Sequence, residues 1–313
     1  MGQNSIAKKR ILIAGGSGFI GSSLAKKLKK NNYDVAILTR NIHSVNDYDS
    51  FYWDISKREI QKKALEKVDC IINLAGENIS NGRWTPGQKN KIEESRVKSA
   101  DLLFNAVRKL EIKPESYISA SATGFYGSFN TDKIFTETDH CGEDFLAGIC
   151  RKWENSADKF QALGIRTTVL RTGVVFSRQA GAFPQLTQTL KFGFISAIGS
   201  GKQFMPWIHI DDLVKMYMFT LENQEINGVY NAVAPEHISQ SELVNKIRLI
   251  SGKRFKSPNI PGFILKAMFG EMASILLYGS RVSANKILKT GFEFNFPNIE
   301  IALKSLLYNT TTK

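Results

Sequence analysis

Five short apolar runs along this chain alternate with stretches whose apolar residues fall at helical spacing. Arg10–Ala14 is wholly apolar after its first residue and runs into glycines, which predicts a buried strand. Residues 22–30 place Leu24, Ala25 and Leu28 on one helical face, and Asn31-Asn32 stops that helix. Further strands are predicted at 35–39, 68–74, 116–119 and 166–175, with helical patterns over 57–67, 88–109 and 144–163 between them. Apolar strands alternating with helices predict an α/β fold of Rossmann type, a doubly wound parallel sheet covered on both faces. The rhythm changes after about residue 176. Segment 181–206 is rich in Gly, Phe and Gln; 211–222 and 240–250 read as helices, 228–233 as a strand and 251–263 as a loop with Pro258 and Pro261, before helical patterns return. The expected organisation is a larger first domain over 1–175, to which segments near 207–234 return, and a smaller, mostly α region over 176–313.

Composition narrows the class. With 313 residues, 42% hydrophobic and 23% charged, the chain is globular rather than disordered. A net charge of +13 fits an anionic partner or a lysine-rich solvated surface. No helix-turn-helix, finger or RNP signature accompanies it, so no nucleic acid partner is expected. Cys70, Cys141 and Cys150 are too few for a disulfide scaffold and fit a reducing compartment. The apolar run near the start is too short for a signal peptide, and Ile6 stands where a myristoylation signal wants Ser or Thr. Residues 263–278, interrupted by Lys266 and Glu271, are too short to span a bilayer. A cytoplasmic protein with no membrane partner is expected. The four histidines (His43, His140, His209, His237) offer no pair at metal-ligand spacing, and His140-Cys141 with Cys150 is a poor cluster, so no metal is expected.

Gly15-Gly16-Ser17-Gly18-Phe19-Ile20-Gly21 follows the first strand and opens the first helix. Glycines at this spacing serve a tight turn, backbone approach to a pyrophosphate, and close helix–strand packing, while helix N-terminal amides face the phosphate charge. The second strand ends at Thr39-Arg40, where NAD-selective folds put an acid on the ribose. A guanidinium there suits a 2′-phosphate, so NADP is the expected cofactor. Asp54 sits where an acid accepts from the adenine amino group; a simple turn role fits it equally.

Together with Asn73-Leu74-Ala75-Gly76, the strand 118–127 ending in Phe125-Tyr126-Gly127, Trp207-Ile208-His209-Ile210-Asp211-Asp212 and Gly228-Val229-Tyr230-Asn231, these residues resemble the extended short-chain dehydrogenases/reductases of the NAD(P)-dependent epimerase/dehydratase group. Ala75-Gly76-Glu77-Asn78-Ile79, Arg83-Trp84-Thr85 with Lys89, Ser95-Arg96, Arg171-Thr172-Gly173-Val174-Val175, Gly279-Ser280-Arg281-Val282 and Gly291-Phe292-Glu293-Phe294 narrow the resemblance to the epimerase-family oxidoreductases with a distinctive C-terminal region. The resemblance spans nearly the whole chain. It implies cofactor contacts from Leu74, Ala75, Gly76 and Arg96, and a place for Val175 near the nicotinamide. Arg96 paired with Glu93 or Glu94 on the helix surface is the alternative. A homodimer is one option, since helices facing one another across a two-fold are common in the superfamily.

One departure matters. Well-studied members carry Tyr-x-x-x-Lys on one helix, where the lysine lowers the tyrosine pKa and the tyrosine exchanges the proton. No lysine here has a tyrosine four residues before it. Aligned on Glu154, the two positions hold Leu146 and Cys150, and Lys152 points elsewhere. Ser121 matches the serine that bonds the reacting oxygen, with Thr123 nearby; Tyr126 is a remote candidate acid or a wall residue. Cys150 reads as a small buried hydrophobe and His209 as a structural histidine. Two functions stand: an NADP-dependent oxidoreductase or epimerase-like enzyme acting on an unidentified small molecule, or an NADP-binding sensor or scaffold without turnover.

Overall fold

The computed structural model describes residues 8–42, 47–252 and 257–308; Met1 to Ile6, His43 and part of the 251–263 loop lie outside them. The strands are β1 (Arg10–Ala14), β2 (Asp34–Thr39), β3 (Asp49–Asp54), β4 (Glu59–Ile60), β5 (Cys70–Asn73), β6 (Ser116–Ala122), β7 (Ile134–Phe135), β8 (Arg166–Thr172), β9 (Val174–Phe176), β10 (Trp207–His209), β11 (Gly228–Ala232) and β12 (Arg281–Val282). The helices are α1 (Phe19–Lys30), α2 (Pro86–Lys109), α3 (Phe145–Asp158), α4 (Ala182–Thr187), α5 (Ile210–Glu222), α6 (Gln240–Ile250), α7 (Gly262–Phe269), α8 (Ser274–Leu277), α9 (Asn285–Leu288) and α10 (Ile299–Tyr308).

Eight strands form one sheet in the order β11-β8-β6-β5-β1-β2-β3-β4, parallel except for the β3–β4 pair. The chain walks outward from β1 to β4, returns to β5, then walks the other way. The reversal between β1 and β5 opens a crevice at the C-terminal strand ends, where such sheets bind ligands. Alternate residues of β1 serve opposite layers. Ile11 and Ile13 pack with Leu24 of α1 and Leu213 of α5; Leu12 and Ala14 pack with Leu103 and Val107 of α2 and Phe160. A third core joins Phe176, Trp207, Leu243 of α6 and Leu303 of α10. Local chemistry starts the helices: Pro86 follows the Thr85 cap on α2, Asp144 caps α3, and Ser239 with Glu242 forms a capping box on α6.

Three expectations are corrected. No helix spans 57–67: the Asp54 carboxylate accepts the amides of Ser56 and Lys57, Arg58 takes φ +57°, and the chain turns back as β4 and a 3-10 turn at Lys62–Leu65. The strand over 166–175 breaks at Gly173, where a Cβ would lie 2.5 Å from the Pro206 carbonyl oxygen; β9 leaves the large sheet to pair with β10. The 144–163 helix stops at Asp158, and a 3-10 turn at Gln161–Leu163 ends on Gly164 at φ +76°. β3, β7, β10 and β12 had no clear apolar run to announce them.

Candidate functional site

The glycine-rich turn is built by backbone crowding. Gly15 has φ +78°, and a Cβ there would lie 2.8 Å from the Leu74 backbone. One on Gly16 would meet the Ile37 side chain at 2.9 Å, and one on Gly21 would come within 2.2 Å of the Gly15 oxygen. The Gly18 amide bonds the Gly15 carbonyl at 3.0 Å, and the first helical bond runs from Ser22 N to Gly18 O at 2.8 Å. No side chain caps α1, and its first turn carries no acid. Its positive end therefore faces the crevice beside exposed Ser17 and half-buried Phe19 and Ile20. This cradle fits a pyrophosphate.

Thr39 is buried at the end of β2, where its hydroxyl accepts from the Asn41 amide; Arg40 next to it is exposed and has no ion pair with a described residue. Asp54 Oδ1 is taken by the β3–β4 turn, with Ser56 Oγ at 2.6 Å holding its pKa below the usual value. The turn role is thus seen directly, and Oδ2 keeps only a long bond from Tyr52. On the other side of the crevice, Leu74 N donates to Ala14 O at 2.8 Å, and buried Asn73 accepts from Ala75 N. Arg96 reaches from α2 to Gly76, where a Cβ would lie 3.2 Å from its guanidinium carbon. It donates to Ile92 O and lies over Trp153, and burial lowers its pKa. It is not tied to Glu93 or Glu94, which pair with Lys152 and Lys98. Val175 is half-buried in β9.

The expected catalytic hydroxyls fare differently. Ser121 Oγ donates to Glu154 Oε1 at 2.6 Å inside the protein. Arg171 binds the same carboxylate through Nε at 2.9 Å and Nη2 at 2.8 Å, and its Nη1 donates to the Tyr126 hydroxyl at 3.1 Å. Tyr126 in turn donates to Asn231 Oδ1 at 2.6 Å, and burial pushes its pKa up to about 12. All five side chains are buried. In this structure the hydroxyl protons of Ser121 and Tyr126 are both directed within the fold, to Glu154 and Asn231. Thr123, half-buried in the 3-10 turn Thr123–Tyr126, keeps a hydroxyl with no hydrogen bond to a described residue.

Leu146 and Cys150 do face the strand end: a Cβ on Gly124 would lie 3.5 Å from Leu146 Cβ and 3.9 Å from Cys150 Sγ. Burial pushes the Cys150 thiol up to about 12, so it is a neutral filler. Lys152 points away to Glu93 at 2.8 Å. His209 is structural, its Nδ1 capping α5 by accepting Asp211 N at 3.2 Å while the ring packs 3.8 Å from Phe296; desolvation lowers its pKa. Asp212 accepts the amides of Asn295 and Phe296, both at 2.8 Å, and so fastens the C-terminal region to α5. Arg83 donates to the Ala267 and Met268 carbonyls at the end of α7, and Lys89 pairs with Glu271 at 2.6 Å. The Arg171–Glu154 pair escaped sequence reasoning as a unit. Its signal was a charged residue inside an apolar strand and another one turn from Cys150 on the buried stripe of α3. Among the described residues no cluster of metal-ligating side chains occurs, and no helix is long and apolar enough to cross a membrane.

Residues 11–232 match the NAD dependent epimerase/dehydratase family, and residues 260–306 match a domain of unknown function, DUF1731. The chain belongs to this epimerase family. Epimerase family protein YfhF of Bacillus subtilis (strain 168) is 33% identical over 305 residues, covering 96% of this chain and 99% of that one. An epimerase family protein of Staphylococcus aureus (strain NCTC 8325 / PS 47) is 31% identical over the same shares. Among solved structures, the human epimerase family protein SDR39U1 (isoform 2) with NADPH superposes with TM-score 0.86 at 31% identity, covering 96% of this chain and 100% of that one. A nucleoside-diphosphate sugar epimerase from Corynebacterium glutamicum gives TM-score 0.77 at 27% identity, over 96% of this chain and 58% of that one. The family is thus fixed by two independent likenesses, of sequence and of fold, and both extend through the C-terminal region.

Proposed function

We propose that the protein binds NADP(H) as an oxidoreductase or epimerase-like enzyme of the extended short-chain dehydrogenase/reductase type, acting on a small molecule. The observation that carries this is the glycine cradle at the open end of α1 with Arg40, exposed and without an ion pair to a described residue, one strand over. Gly15, Gly16, Ser17, Gly18, Phe19, Ile20 and Gly21 would hold the pyrophosphate, Arg40 and Thr39 the 2′-phosphate, and Leu74, Ala75, Gly76, Arg96 and Val175 the nicotinamide half. The dinucleotide supplies hydride chemistry when bound. Thr123 orients the substrate oxygen, since its hydroxyl, just past the end of β6, has no hydrogen bond to a described residue. The likeness to a human relative solved with NADPH supports the choice of NADP.

Arg40→Gln is expected to weaken NADPH about tenfold while leaving NADH within twofold, since a lost charge-assisted contact to phosphate affects only the phosphorylated cofactor. Titration calorimetry on the folded protein checks this. Wild-type protein giving no heat with either dinucleotide would overturn the reading.

A second reading, an NADP-binding sensor or scaffold without turnover, draws on the apolar Leu146 and neutral Cys150 facing Gly124. Following NADPH absorbance with a panel of carbonyl compounds and nucleotide sugars separates the two. Tight NADPH binding with no oxidation across the panel favours the sensor.

A further inference from the structure

Beyond the glycine turn, a second segment closes on the same helix end. Phe176 bridges Gly181 antiparallel, so residues 177–180 form the tip of a small hairpin after β9. Buried Ser177 braces the tip by accepting the Gln179 amide at 3.2 Å. Gly181 takes φ +84°, and a Cβ there would sit 2.9 Å from the Val175 oxygen and 3.2 Å from Phe19 Cε1. Phe19 is the first residue of α1. The hairpin is therefore pressed against the uncapped end of the helix, with no room for a larger residue between them.

Arg178 stands at this tip, exposed, with no ion pair, hydrogen bond or ring contact to a described residue. The two chain segments that meet here carry no acid of their own: neither residues 1–33 nor residues 159–210 contain an Asp or Glu. A cation with no ion pair to a described residue, on a hairpin that packs against the first residue of a helix with orphan amides, suits a multiply charged anion.

We infer that Arg178 is a pyrophosphate clamp, which acts from the hairpin tip across the crevice from the α1 amides. This rests on the dinucleotide reading above. The pyrophosphate is common to NADPH and NADH, so the clamp acts on both, whereas Arg40 acts on the 2′-phosphate alone. Arg178 binds and orients; it moves no proton.

The test measures dissociation constants of NADPH and NADH for wild type, Arg178→Gln and Arg178→Lys by calorimetry. Arg178→Gln is expected to weaken both by the same factor, about tenfold for one charge-assisted contact, and Arg178→Lys to restore part of the loss. A merely structural residue at an exposed tip would move neither constant. A second readout needs no variant: trypsin cleavage after Arg178 in the wild type is expected to slow when NADPH is bound. Unchanged constants in Arg178→Gln, or a loss confined to NADPH, overturn the clamp. A wild type that binds neither dinucleotide overturns the function proposed above and the clamp with it.

Discussion

Gly21→Ala is expected to raise the NADPH dissociation constant by on the order of 100-fold, the loss of one or two charge-assisted hydrogen bonds from the turn amides to the pyrophosphate at about 1.5–3 kcal/mol each. A Cβ at Gly21 would stand 2.2 Å from the Gly15 oxygen and 2.7 Å from the Gly16 Cα. Both are backbone atoms, so no rotamer change relieves the clash; the turn itself must move away from α1. That turn cannot retreat, because Gly15 already lies against the Leu74 backbone and Gly16 against Ile37. The amides that would meet the pyrophosphate are therefore swung out of place. Gly18→Ala is a graded control: its nearest atom is the Gly15 oxygen at 3.2 Å, and a milder loss is expected. Gly87→Ala near the start of α2 meets nothing within 4 Å and is expected to leave binding unchanged. Calorimetry with NADPH, alongside thermal melts, reads the series. Equal affinity in Gly21→Ala and wild type would remove the cradle from the binding site.

The parts of the architecture that reached the sequence are those whose signal is local. Apolar runs bounded by glycine, such as Arg10–Ala14, announce strands buried on both faces, and apolar residues at helical spacing, such as Leu24, Ala25 and Leu28, announce helices. The glycine cradle was readable because its glycine spacing is local, although the Leu74 and Ile37 atoms that crowd Gly15 and Gly16 are distant in sequence. β3 was missed because Ser50 and Tyr52 interrupt its apolar positions, and β4 because two residues carry no periodicity. The site proved harder. Whether Ser121 faces a substrate or the interior depends on which neighbour its hydroxyl finds, and that neighbour, Glu154, is 33 residues away. Leu146 and Cys150, the residues that alignment on Glu154 put at the Tyr and Lys positions, both lie against Gly124, because four residues on α3 make about one helical turn. It could not show that Tyr126 is consumed by Asn231, a contact made across 105 residues.

That buried network sets the second large effect. Arg171→Met is expected to destabilise the protein by about 3–5 kcal/mol, because it strands the Glu154 carboxylate in the core. The side chains of the pair are only 4% and 8% exposed, so water cannot take over the lost bonds. The arginine also lies 3.3 Å from the Phe125 ring centroid and donates to Tyr126, so the turn carrying Thr123 loses its floor. Replacing both partners, Glu154→Leu with Arg171→Met, is expected to recover most of the loss. No charge then stays buried; Ser121 must find a new acceptor, while Tyr126 loses one donor and keeps its bond to Asn231. Urea unfolding of the two singles and the double gives the coupling as a thermodynamic cycle. Additive losses would mean the two charges are separately solvated, against the bidentate contact. If instead the double variant folds well yet binds NADPH as the wild type does, the network serves stability alone. A fall in affinity in that well-folded double would show that the same ion pair also holds the crevice wall in the shape the dinucleotide requires.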